Sequence, residues 1–180
     1  MPSRRPHGRA RGLARRPPRW HGGGMTHTDT SITVSRTIDV PAKEVFSLLS
    51  LPARHREFDG SGFVRGAEDT ERITKAGEQF VMNMEGDHMG GEYKMYNHVT
   101  AFDENKMIGW KPANEDAKDE PKGWEWLYTL ESEGADATRV TLTYDWSDVT
   151  DKDLLPIFPL VKEEDLEQSL NLLAGAVSGS

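Results

Sequence analysis

The sequence predicts an α+β domain in which an antiparallel sheet is covered on one face by a C-terminal helix. Three observations carry this expectation. Residues 124–130 and 140–146 alternate large apolar with polar side chains, Leu127 excepted, the period of a half-buried strand. Residues 163–177 instead place Leu166, Leu170, Leu173 and Val177 at helical spacing. Between an opening strand-and-helix pair and these segments, the chain reads as a run of short strands separated by turn residues.

Composition bounds the problem. The 180 residues fit one domain that can bury its own core. Absence of cysteine excludes disulfides, thiolate metal sites and a cysteine nucleophile. The longest apolar run, Leu154 to Val161, is interrupted by Pro156 and Pro159 and falls short of a membrane span. The formal charge is −8, but it is unevenly spread. Residues 1–24 carry seven arginines and no acid, leaving 15 basic against 30 acidic residues, a net −15, on residues 25–180. The first stretch is rich in proline and glycine without apolar periodicity, so it is expected to be disordered. It reads either as a basic arm for nucleic acid or anionic lipid, as a transit segment, or as sequence upstream of a true start at Met25; the last reading is taken here. The acidic remainder is not expected to bind nucleic acid, whose phosphates it would repel. A cytoplasmic monomer or homodimer is expected.

The elements follow in order. Ser31 to Val40 alternates, with Ile32, Val34, Ile38 and Val40 on one face, as a strand does. Pro41 then suits the start of a helix over 42–50, and Leu51-Pro52 ends it before a second short helical turn to Phe58. Asp59-Gly60-Ser61-Gly62 is turn chemistry. Strands are expected over 63–67, 78–85, 92–102, 106–111, 123–131 and 137–146, giving a sheet of about six or seven strands with the first. A Gly-rich turn at 86–91 and a charged loop at 115–122 separate some of them. Acidic Glu163, Glu164, Asp165 and Glu167 open the last helix, where they complement its dipole.

This order resembles the helix-grip fold. The opening Ile32-Thr33-Val34-Ser35-Arg36-Thr37-Ile38-Asp39-Val40-Pro41-Ala42-Lys43-Glu44-Val45-Phe46 is similar to the strand and "Pro-Ala-x-x-Val-Phe" helix start of the START/Bet v 1-like (SRPBCC) superfamily, and within it of the polyketide cyclase/dehydrase and lipid-transport group. Val99 to Trp110, a strand, an acidic turn and a strand ending in tryptophan, and the closing Leu166 to Leu173 helix also fit. The resemblance covers roughly Ser31 to Val177. It implies a curved antiparallel sheet wrapped around a long C-terminal helix, with a cavity between them that takes hydrophobic small molecules. Some relatives resemble co-factors that stimulate a chaperone ATPase, so a protein-interaction module is a competing expectation.

Given a cavity, strand parity nominates its wall. Phe80, Met82 and Met84 share one face, and Trp124, Trp126 and Tyr128 share another, with Trp110, Tyr144 and Trp146 on neighbouring strands. Leu154, Ile157 and Phe158 are expected to guard an entrance. Aromatic and methionine walls suit a flat, apolar, lipid-like or polyketide-like ligand. The competing reading is that these side chains fill a solid core. For catalysis, His88 and His98 are the weak acid–base candidates, with Asp87, Tyr96, Tyr128, Tyr144 and Arg65 as helpers. His88 in its glycine-rich turn and His98 beside Lys94, Tyr96 and Thr100 are both expected at the surface, so binding without catalysis is the leading expectation. No cofactor or metal is expected: Gly60 to Gly66 lacks dinucleotide-loop spacing, and no second histidine stands at ligand spacing from His88.

Overall fold

The computed structural model describes residues 25–69 and 71–178; the expectation for residues 1–24 lies outside them. The strands are β1 (Met25–His27), β2 (Ser31–Ile38), β3 (Val64–Ala67), β4 (Gln79–Gly86), β5 (Gly91–Asp103), β6 (Met107–Asn114), β7 (Glu125–Ser132) and β8 (Thr138–Asp145). Helix α1 spans Ala42–Leu49, a 3-10 helix spans Pro52–Glu57, and α2 spans Glu163–Ser178. All eight strands form one antiparallel sheet in the order β1-β2-β8-β7-β6-β5-β4-β3. The chain therefore enters beside one edge, crosses to the other through α1 and the 3-10 helix, and returns as a meander from β3 to β8.

The strand count corrects the expected six or seven. The additional strand, β1, is three exposed residues paired as Met25↔Val34 and His27↔Ile32. It is a short edge strand with no buried face, so it leaves no alternation to read. Strand β6 also runs past the expected end at Lys111, through Pro112. Its pairing with β7 stops at Trp110, so Pro112 is bonded in a ladder on one side only, opposite Asn97. A proline is tolerated where one flank of the strand is unpaired.

Register aligns the inward rows across the sheet. Trp110, Trp126, Tyr144 and Ile32 form one row, and Ile108, Tyr128, Leu142 and Val34 the next. Irregular pairing between Val64 and Gly66 and between Val99 and Ala101 interrupts β3 and β5, and such bulges bend the strands that carry them. Helix α2 packs on the β2–β8 side through Leu166, Leu170, Leu173 and Val177, all buried. Its first turn is held by the Asp165 carboxylate, which accepts a hydrogen bond from the Lys162 amide at 3.1 Å. Helix α1 buries Val45, Phe46, Leu48 and Leu49 beneath it. Gly60 lets the chain after the 3-10 helix touch α2: a Cβ there would stand 2.1 Å from the Asp165 carbonyl oxygen. The Gly60 amide instead donates to Ser169 Oγ at 2.8 Å.

Candidate functional site

Because α2 covers the β2–β8 end, the inward face of β4–β7 needs another cover. It is supplied by residues 55–63, by the turn at 87–90, and by residues 154–161. These do not fill the space. They leave a cavity of about 280 Å³ that opens to solvent on one side, at the small end of ligand-site volumes. The competing expectation of a solid core is thereby corrected: the sheet is too wide for one helix to cover. The position of the cavity is also refined, since Ser169 is the contribution of α2 to a wall otherwise built by the sheet and the covering loops.

Nine of the ten side chains nominated from sequence line this space. Phe80, Met82 and Met84 come from β4, Trp110 from β6, Trp126 and Tyr128 from β7. Trp124, Tyr144 and Phe158 complete the set, and Leu154 and Ile157 stand beside Phe158 on the covering segment. Trp146 does not line it. It follows the last residue of β8, is buried, and stacks behind Phe158 with ring centres 6.1 Å apart. Trp126 and Tyr144 stack face to face at 4.2 Å, and Phe158 leans on Trp124 at 5.5 Å. Two covering and framework walls therefore meet through aromatic rings.

The acid–base candidates separate. His98 points to the outer face of β5, where its Nε2 lies 2.6 Å from the Lys118 carbonyl; Tyr96 is on the same face, with the Lys118 ammonium over its ring. His88 is exposed, yet it lines the mouth of the cavity. Its ring packs on Phe63 at 4.7 Å, and its Nε2 lies 3.3 Å from the Tyr93 hydroxyl. Burial, with the Asp59 carboxylate adding to it, pushes the Tyr93 phenol up to about 12. Arg65 pairs with Glu85 at the surface, away from the wall.

The structure adds two polar groups that sequence reasoning missed, His55 and Asn97, beside the nominated Tyr128. His55 of the 3-10 helix is 4% exposed and stacks on Trp110 with centres 5.0 Å apart, edge-on to Phe80 at 5.3 Å. Its Nε2 lies 2.7 Å from the Leu49 carbonyl. A carbonyl only accepts, so Nε2 carries the proton and Nδ1 of the neutral ring is a bare acceptor. Burial lowers the imidazole from 6.5 to about 4, against the opposing pull of the Leu49 bond and of Asp59, so the ring is neutral at pH 7. Asn97 and Tyr128, each 5% exposed, also line the cavity. Burial, followed by Asp59, raises the Tyr128 phenol well above its usual range. Asp59 itself braces the covering loop: Oδ1 accepts from the Ser61 amide at 3.0 Å and hydroxyl at 2.6 Å, and Oδ2 accepts from the Val64 amide at 2.8 Å. Asn97 was signalled, because the parity that turns His98 outward turns its neighbour inward. His55 was not: Pro52-Ala53-Arg54-His55-Arg56-Glu57 reads as surface.

Among the described residues no cluster of three or more His, Asp or Glu is placed to hold a metal ion, and no helix is long and apolar enough to cross a membrane.

Comparison with known proteins agrees with this architecture. An uncharacterized protein of Mycobacterium tuberculosis, Rv0088, is 36% identical over 115 residues, 63% of this chain and 47% of that protein; the chain thus spans about half the length of the curated relatives it matches. A START superfamily protein from Mycobacterium smegmatis superposes with a TM-score of 0.60 at 16% identity, over 83% of this chain and 98% of the other. The Zhui aromatase/cyclase from Streptomyces sp. R1128 does so with a TM-score of 0.55 at 15% identity, over 82% and 93%. Residues 39–177 match the family described as Activator of Hsp90 ATPase homolog 1-like protein. The match over most of the chain shows the family, and the superpositions show a shared fold: this chain belongs to the Activator of Hsp90 ATPase homolog 1-like family.

Proposed function

We propose that the protein binds a hydrophobic or aromatic small molecule in the cavity and acts as a carrier or receptor for it. One observation carries the reading: a partly open cavity of about 280 Å³ walled largely by aromatic and methionine side chains. Such walls give large contact at low conformational cost and adapt to shape. The buried polar groups suit binding better than proton transfer. A useful acid or base titrates near the working pH, whereas burial moves His55 down to about 4 and Tyr128 upward. Titration of tryptophan emission with apolar aromatic compounds tests the proposal. Saturable quenching supports it; no response to any such compound up to its solubility limit refutes it.

A second reading, cyclisation or dehydration of a bound poly-ketone, has one observation in its favour: the hydrogen-bonded His88–Tyr93 pair at the cavity mouth. Its test is turnover of a poly-β-ketone analogue. Equal rates for the wild type and His88→Ala remove histidine from that mechanism. The interaction-module reading draws on the family's description and on the acidic surface, which suits a basic partner. Stoichiometric recovery of a protein partner with the purified chain, in place of a small apolar compound, is the result that favours it.

A further inference from the structure

The cavity wall is mostly apolar, with a few polar side chains set into it. Three of these, each nine-tenths or more buried, present polar atoms with no hydrogen-bond partner among the described residues: His55 Nδ1, the Asn97 carboxamide and the Tyr128 hydroxyl. None of these atoms is sealed away unsatisfied, so each opens onto the cavity. They come from three elements that share the neighbours Phe80 and Trp110. His55 lies over Phe80 and Trp110; Asn97 sits on β5 in register with Phe80 on one side and Pro112 on the other. The Tyr128 ring lies 6.1 Å from Trp110. No lysine or arginine lines the wall, and its one carboxylate is Asp59.

These groups specify a ligand. Resting on the binding reading above, we infer that the cavity selects a neutral aromatic molecule bearing a hydroxyl group, which donates its hydrogen to His55 Nδ1 and accepts from Tyr128 or Asn97. The donor–acceptor count is the reason. His55 Nδ1 can only accept while the ring is neutral; the phenol and the carboxamide can donate. A hydroxyl gives one hydrogen bond and takes two, so one oxygen matches both demands. A purely apolar occupant would cover the imidazole lone pair without pairing it, and an unpaired buried polar group is costly. A carboxylate ligand, such as a fatty acid, would meet Asp59 with no cation to balance it and is excluded by charge.

The test is calorimetric titration at pH 7 with three bicyclic compounds of matched shape: 2-naphthol, 2-methylnaphthalene and 2-naphthoate. At this pH the phenol is neutral and the acid ionised. The inference expects 2-naphthol to bind at least about tenfold more tightly than 2-methylnaphthalene, one hydrogen bond's worth, and 2-naphthoate to bind more weakly than either. In His55→Phe the naphthol advantage falls to within about twofold, because naphthol loses its acceptor and 2-methylnaphthalene no longer covers an unpaired lone pair. Should His55→Phe fail to fold, Tyr128→Phe and the wild-type series still decide. Equal binding of the phenol and its methyl analogue, or preference for the carboxylate, overturns the inference and leaves the cavity reading standing. Failure of all three to bind overturns both.

Discussion

Protonation of His55 makes stability depend on pH in a way that can be assigned to one residue. The imidazole is buried, and its folded pKa of about 4 lies below its ordinary 6.5. Between these values the unfolded chain holds a proton that the folded chain refuses. Stability therefore rises with pH through this window and is lost as pH falls from 6.5 towards 4. At about 1.4 kcal/mol per unit, the shift is worth roughly 3 kcal/mol once the pH reaches the folded value. Between pH 7 and pH 5 the loss is about 2 kcal/mol by the same relation. Urea unfolding at the two pH values measures it, and with a slope near 2 kcal/mol/M the midpoint falls by about 1 M. The comparison is His55→Phe, which keeps a ring on Trp110 but cannot titrate. Losing the bond to the Leu49 carbonyl makes the variant less stable than the wild type at pH 7, by about 1–3 kcal/mol. At pH 5 that gap shrinks by about 2 kcal/mol. A gap unchanged between pH 7 and pH 5 would refute the claim that His55 is buried neutral.

Two further perturbations test the cover of the cavity. Gly60→Ala forces a methyl group against the Asp165 carbonyl and the Ser169 amide, both backbone of α2, so helix and loop must separate; we expect a loss of about 3 kcal/mol and a melting temperature lower by about 6–12 °C. Asp59→Ala releases three hydrogen bonds that shape residues 59–64; we expect a loss of about 2–3 kcal/mol in urea unfolding, with Asp59→Asn, which keeps an acceptor for Ser61, losing about half as much.

Much of this architecture was legible in the sequence because it rests on period. Trp124, Trp126 and Tyr128 share one parity, with Leu127 the one apolar residue on the other, and Leu166, Leu170 and Leu173 recur by turns of a helix; burial on one face leaves that trace. The same logic failed where burial is not periodic. Strand β1 buries nothing. Trp146 keeps the parity of Tyr144 but lies beyond the strand, where it packs behind Phe158. His55 sits in a short charged helix, and only the tertiary approach of that helix to Phe80 and Trp110 buries it. Site polarity was hidden for the same reason: the wall can be read strand by strand, whereas its buried polar groups come from a 3-10 helix, β5 and β7.

An aromatic ligand is expected to enter the space between the sheet and its covering loops. Indole N–H resonances report it directly, since Trp110, Trp124 and Trp126 line the cavity and Trp146 stands behind it. On titration with 2-naphthol, the first three are expected to shift together and saturably, and Trp146 to shift less. Unmoved indole resonances in the presence of excess ligand, or shifts confined to residues of the outer face such as Tyr96 and His98, would contradict the account.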